Sequence, residues 1–180
     1  MMRQSINPLI AKFRASPLPI VNAINGPAAG AGLGIALAGD VVIAARSARF
    51  VLSFVRLGAA LDGGTTVFLQ RSVGAARTRA LALLGEPLSA ETAAEWGLIW
   101  KVVDDADLMT EAMATAEKLA DGPPVAIALI KAQLEAAWSL SVAAALDDEA
   151  TAQSKTFATE DLREGARAFV EKRPPRFMGR

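Results

Sequence analysis

Two glycine turns carry the residues whose types and spacing could do chemistry. From Asn25 to Asp40 the chain reads Asn-Gly-Pro-Ala-Ala-Gly-Ala-Gly-Leu-Gly-Ile-Ala-Leu-Ala-Gly-Asp. Glycine allows unusual backbone dihedrals and the close approach of another molecule. A helix that begins in such a turn points its first unpaired N–H groups at whatever occupies it. The segment therefore reads as a backbone site for an anion or oxyanion, with Gly30 and Ala31 at the start of the helix. The second turn, Leu61-Asp62-Gly63-Gly64-Thr65, holds a lone carboxylate. Set among the apolar residues Leu57, Ala59, Ala60 and Leu61, Asp62 suits a general acid/base that passes a proton back and forth. Both turns also have plainer readings. Glycines permit tight helix–strand packing, and an Asp before Gly-Gly is ordinary turn chemistry or a helix N-cap.

Phosphate motifs fit the first turn poorly. Gly30 and Gly32 begin a dinucleotide fingerprint, but Ile35 stands where its third glycine belongs. Gly34 and Gly39 have the outer spacing of a P-loop, yet Asp40 follows instead of lysine. The chain has no cysteine and no histidine. Disulfides, thiol chemistry, Ser-His-Asp and Cys-His arrangements and the usual zinc sites are thereby excluded from these residues. No metal is expected. Lysine plus arginine and aspartate plus glutamate both total 19, so no global charge favours nucleic acid. Over half the residues, 52%, are apolar, which points to extra apolar surface buried between subunits. No leader-type or membrane-spanning run is evident, and a cytoplasmic location is the expectation.

The 180 residues are enough for one α/β core with an appended region. A short amphipathic helix over 6–15 stops at Ser16-Pro17. A strand over 20–24 leads into the glycine turn and a helix over 31–38. The β-branched run 41–44 predicts a buried strand, and 47–52 a further short one. Helices are predicted over 65–73 and 75–84, separated by Gly74. Ser89 is placed to cap a helix over 90–96, followed by a strand over 98–103. Beyond Asp107 the pattern is helical, over 108–120, 125–138, 142–156 and 160–171. The expected division is an α/β core over 1–104 and a helical region over 105–180.

Taken together, these motifs resemble the crotonase (enoyl-CoA hydratase/isomerase) superfamily. The resemblance is carried by the run Pro19–Asp40, by Leu57-Gly58 with Asp62-Gly63-Gly64-Thr65, and by Leu83-Leu84-Gly85-Glu86-Pro87-Leu88-Ser89-Ala90. It extends through Trp96-Gly97-Leu98-Ile99 to the closing Phe169-Val-Glu-Lys172-Arg173-Pro-Pro-Arg-Phe177. Within the superfamily, Gly97–Asp105 and the lone Asp62 are most similar to the ring-1,2-epoxyphenylacetyl-CoA isomerases of phenylacetate breakdown.

The resemblance implies a ClpP/crotonase-like α/β fold of stacked strand–strand–helix turns with a C-terminal helical region. It implies an acyl-CoA thioester as substrate, with coenzyme A part of that substrate and no separate cofactor. It implies assembly as a homotrimer or a dimer of trimers through the helices. By position, the amides at Gly30-Ala31 would supply one half of an oxyanion hole for the thioester enolate, and Asp62 would move the proton. Hydratases of the family place glutamates where this chain has Gly34 and Phe54, so isomerisation is expected rather than hydration. Phe54 reads as a wall of the acyl pocket or as ordinary core, and Phe169 and Lys172 as contacts for the coenzyme A portion or as a solvated helix end. A further α/β segment usually precedes the position of Ile6 in the family, and its absence here is expected to leave the other half of the hole outside this chain. Two alternatives stand beside this reading: a hydratase or dehalogenase-like relative, and a non-catalytic subunit that only packs in an oligomer. Trp96, Trp100 and Trp138 read as core or interface. Arg71, Arg77 and Arg79 read as a solvated helix face, and Phe50 and Phe68 as core or pocket wall.

Overall fold

Proline and glycine divide the chain before any packing is considered. The computed structural model describes residues 2–180. Helix α1, Ile6–Ala15, ends where Ser16-Pro17 follows, because the residue before a proline is pushed out of the helical region. The strand β1, Val21–Ile24, leads to β2, Pro27–Ala29, and then to α2, Ala31–Leu37. Strand β3, Val41–Ala45, is buried along nearly its whole length, as a strand covered on both faces must be. Strands β4, Arg49–Val51, and β5, Pro87–Ser89, enclose α3, Thr65–Leu84. At Gly74 α3 leaves helical geometry (φ 79°, ψ 169°), so the two helices expected from sequence meet at a kink there.

The Ser89 hydroxyl accepts from the Thr92 amide at 3.1 Å and caps α4, Ala90–Glu95. Strand β6, Lys101–Val103, follows. Strands β1, β3 and β6 form one parallel sheet in that order, with Val21 opposite Val41 and Ile43 opposite Lys101. In the other sheet β4 lies between β2, to which it is parallel, and β5, to which it is antiparallel.

The chain divides into two units. The first holds residues up to Arg14 and Ile20–Thr115; the second holds Ala15–Pro19 and Ala116–Arg180. In the first unit Leu33, Phe50, Leu52, Phe54 and Leu69 form one core, each at most 6% exposed. Burying side chains of this size stabilises by about 1.5–3 kcal/mol each. Asn22 fixes β1 to the end of α2, its Nδ2 donating to the Ile35 and Ala36 carbonyls at 3.0 and 2.9 Å. Arg46 reaches Asp104 at 2.9 Å and Glu91 at 3.3 Å. Hydrogen bonds from Ser47 hold the neighbouring Asp105 carboxyl below the usual carboxylate range.

Helix α5, Leu108–Ala120, crosses the boundary between the units. The second unit contains α6, Pro124–Ala136, α7, Val142–Phe157, and α8, Glu160–Glu171. Its last residues lie along α8. Asp161, 3% exposed, accepts from the Met178 and Gly179 amides at 2.6 and 2.9 Å. Glu164 is drawn down to about pKa 2, chiefly by the Arg173 guanidinium. Ile130, Leu134, Trp138, Val142 and Leu146 are exposed, each by more than half. Among the described residues no helix is long and apolar enough to cross a membrane.

Candidate active site

The first glycine turn resolves into strand and helix. Gly30 takes φ 54° and ψ −131°, a conformation that glycine adopts without a Cβ penalty. Its N–H donates to the Val51 carbonyl at 3.2 Å, continuing the pairing of β2 with β4. Ala31 is the first residue of α2, and its N–H donates to no group among the described residues. The structure thus distinguishes the two amides expected to act together: Gly30 is held by the sheet, and Ala31 remains open.

The second turn does not use Asp62 as a cap. The N-cap of α3 is Gly64, at φ 78°, with no side-chain cap. The Thr65 amide and hydroxyl both turn back to the main-chain carbonyl of Asp62, at 3.2 and 2.7 Å. The carboxylate itself is left over: Oδ1 is buried from solvent and has no hydrogen-bond partner. An unpartnered buried acceptor is costly, so its presence asks for an explanation outside local structure.

The two turns touch. At Gly34 an added Cβ would overlap the Gly63 carbonyl oxygen and stand 2.7 Å from the Gly63 carbonyl carbon. Reciprocally, a Cβ on Gly63 would lie 3.3 Å from the Ala31 carbonyl oxygen. The backbone beside Asp62 therefore rests on the first turn of α2, next to the open Ala31 amide. This contact was not visible in the sequence, where Gly34 stood out as part of a failed P-loop spacing and as a missing glutamate, and Gly63 as turn chemistry.

Phe54 is 6% exposed within the core, and its ring lies 3.9 Å from where a Cβ on Gly30 would be. The structure so brings Gly30, Ala31, Phe54 and Asp62 into one region of the first unit. The apolar surroundings of Asp62 are not those read from its chain neighbours: Leu57 is 78% exposed and Ala59 and Ala60 are also exposed. Leu61 does pack against the core. Phe169 and Lys172 belong to the second unit. Phe169 is 85% exposed and lines a cavity of about 340 Å³ with Leu162, Val125 and Phe177. Lys172 takes a left-handed conformation, φ 53°, at the end of α8. Among the described residues no group of three or more His, Cys, Asp or Glu side chains could hold a metal ion.

The chain as a whole is similar to known proteins. The family model for enoyl-CoA hydratase/isomerase matches residues 1–180. The chain is 46% identical to a probable enoyl-CoA hydratase of Rhodobacter capsulatus, over 99% of this chain and 70% of that protein. It is 47% identical to the 1,2-epoxyphenylacetyl-CoA isomerase of Escherichia coli K12, over 97% of this chain and 66% of that protein. The crystal structure of an enoyl-CoA hydratase from Polaromonas sp. JS666 superposes with TM-score 0.94 at 34% identity, covering 97% of this chain and 68% of that one. The chain thus spans 66–70% of the length of these two curated relatives. On the match of the family model along its whole length, the chain belongs to the enoyl-CoA hydratase/isomerase family.

Proposed function

We propose that the chain is an acyl-CoA isomerase, acting on 1,2-epoxyphenylacetyl-CoA or an enoyl-CoA through a single-aspartate proton shuttle and a thioester oxyanion site. The observation that carries this reading is the buried, unpartnered Oδ1 of Asp62, in a turn that rests beside the open Ala31 amide. In a 3-enoyl-CoA the C–H bond at the saturated carbon next to the thioester carbonyl breaks. Its proton goes to the Asp62 carboxylate and its electron pair into the carbonyl, forming an enolate oxygen. The Ala31 N–H donates to that oxygen. A preorganised donor of this kind is worth about 3 kcal/mol. The double bond shifts, and Asp62 returns the proton to a carbon further along the acyl chain. With an aryl epoxide the Asp62 carboxyl, having taken the proton next to the carbonyl, gives it to the epoxide oxygen as a ring C–O bond breaks and the electron pair left on carbon forms the new double bond.

Gly34 and Phe54 support isomerisation over hydration, because neither position offers a second carboxylate to activate water. Hydratase names among the relatives keep hydration as the reading to test against. The direct comparison assays the full chain with a 3-enoyl thioester for double-bond migration and with a 2-enoyl thioester for water addition. Migration outrunning hydration by more than about tenfold supports the reading; the reverse order sinks it.

Phe169 and Lys172 are read as contacts for the coenzyme A portion, supported by the exposed ring of Phe169. The exposed apolar residues of α6 and α7 support assembly as a trimer or dimer of trimers. Sedimentation of the purified chain should give three or six times the monomer mass; a monomer at micromolar concentration would refute it.

A further inference from the structure

We infer that Gly34 is a positioning residue: its missing side chain lets the Asp62-Gly63-Gly64 turn rest on α2, and that contact sets the Asp62 carboxylate against the Ala31 amide. The inference deepens the proton-shuttle reading above and rests on it. The turn is held from two sides. On the α2 side, Gly34 and Gly63 meet backbone to backbone, and an added Cβ on Gly34 would stand 2.9 Å from the Gly63 Cα. On the other side, a Cβ on Gly64 would stand 2.8 Å from Cε2 of Phe68. Phe68 is in turn covered by the Arg14 guanidinium, 5.9 Å from its ring centre. Arg14 also donates to the Ala38 carbonyl, at 3.3 Å, just past the end of α2. Helix α2 and the Asp62 turn are so tied at both ends of one brace.

Backbone-to-backbone contact leaves no flexible atom to give way. A side chain at 34 must therefore move either the start of α2, which carries the Ala31 amide, or the turn, which carries the carboxylate. Both outcomes change the separation of the proton acceptor and the oxyanion donor. The same contact excludes a glutamate at 34 in this backbone, so a second carboxylate cannot be added there by simple substitution.

Gly32 provides the matched comparison. It lies in the same helix, and an added Cβ there meets nothing within 4 Å. Alanine favours the helix at either position, so propensity cannot separate the two variants. In the full chain, Gly34→Ala should lower kcat for isomerisation about 100-fold, the loss expected from a misplacement near 1 Å. KM should stay within about threefold. The backbone amide resonances of residues 62–65 should shift in Gly34→Ala and stay in place in Gly32→Ala, whose kcat should remain within about twofold of wild type. Wild-type turnover by Gly34→Ala with unmoved resonances at 62–65 overturns the inference. In the unsubstituted protein, a strong nuclear Overhauser effect is expected between the α protons of Gly34 and Gly63. Its absence overturns the inference without any variant, including where Gly34→Ala does not fold. Asp62→Asn run in parallel separates the two ideas. Full activity of Asp62→Asn would end the proton-shuttle reading, while the resonances at 62–65 would still decide whether Gly34 places the turn.

Discussion

Asp62→Asn should lower the isomerisation rate by about 10²–10⁴-fold, the range that a positioned acid/base contributes, with little change in melting temperature. The two halves of this expectation come from one observation. The Asp62 carboxylate caps no helix, and its Oδ1 accepts no hydrogen bond. What ties Asp62 into the turn is its main-chain carbonyl, bound by Thr65, and asparagine keeps that carbonyl. Even a capping role would survive the change, because asparagine caps a helix about as well as aspartate. Asparagine has nearly the same volume, so the surrounding packing is preserved, but it cannot take up a proton near neutral pH. Turnover, thermal melting and thioester affinity by calorimetry should therefore separate: turnover collapses, and the other two hold. Wild-type turnover by the variant would remove Asp62 from the chemistry. A large fall in melting temperature would show that its role is structural.

Ala31→Pro should lower kcat by about 10²–10³-fold, the usual loss on removing one oxyanion donor. Proline deletes the Ala31 N–H and nothing else that the helix needs. At the first position of a helix the N–H has no intrahelical acceptor, and the fixed φ of proline already suits the helix. The Ala31 amide has no other acceptor among the described residues, so α2 should persist by circular dichroism. Gly30 cannot serve the same test. Its N–H is bound to Val51 and its φ is positive, so a substitution there disturbs the sheet and strains the backbone together. Undiminished kcat in folded Ala31→Pro would mean that the thioester oxygen is held elsewhere.

Much of this architecture is legible in the sequence because local chemistry and the fold agree. Helix α2 starts at Ala31 as the glycine turn predicts, Ser89 caps α4, and Gly74 breaks α3. Strands β2 and β5 escape the reading. Each has three residues, one of them proline, and shows no alternation to detect; only pairing with β4 makes them strands. The strand expected over 98–103 shortens to Lys101–Val103, since Gly97 takes a positive φ and Leu98 folds back to the Ala93 carbonyl.

The site divides in the same way. Residue types and spacing single out Asp62 and the amides at Gly30 and Ala31, but not how they are brought together. That depends on Gly34 meeting Gly63, a contact between residues far apart in the chain. Neighbours in sequence mislead where packing decides. Leu57, Ala59 and Ala60 precede Asp62, yet they are exposed, while Phe54, further back, is buried with its ring towards Gly30.

The central claim is that a single carboxylate relocates a proton and no water is added. Turnover of a 3-enoyl thioester by the full chain in ¹⁸O-labelled water tests it most directly. The account predicts a conjugated 2-enoyl thioester of unchanged elemental composition, with no ¹⁸O in the acyl group. A hydroxyacyl thioester carrying ¹⁸O as the main product would contradict it.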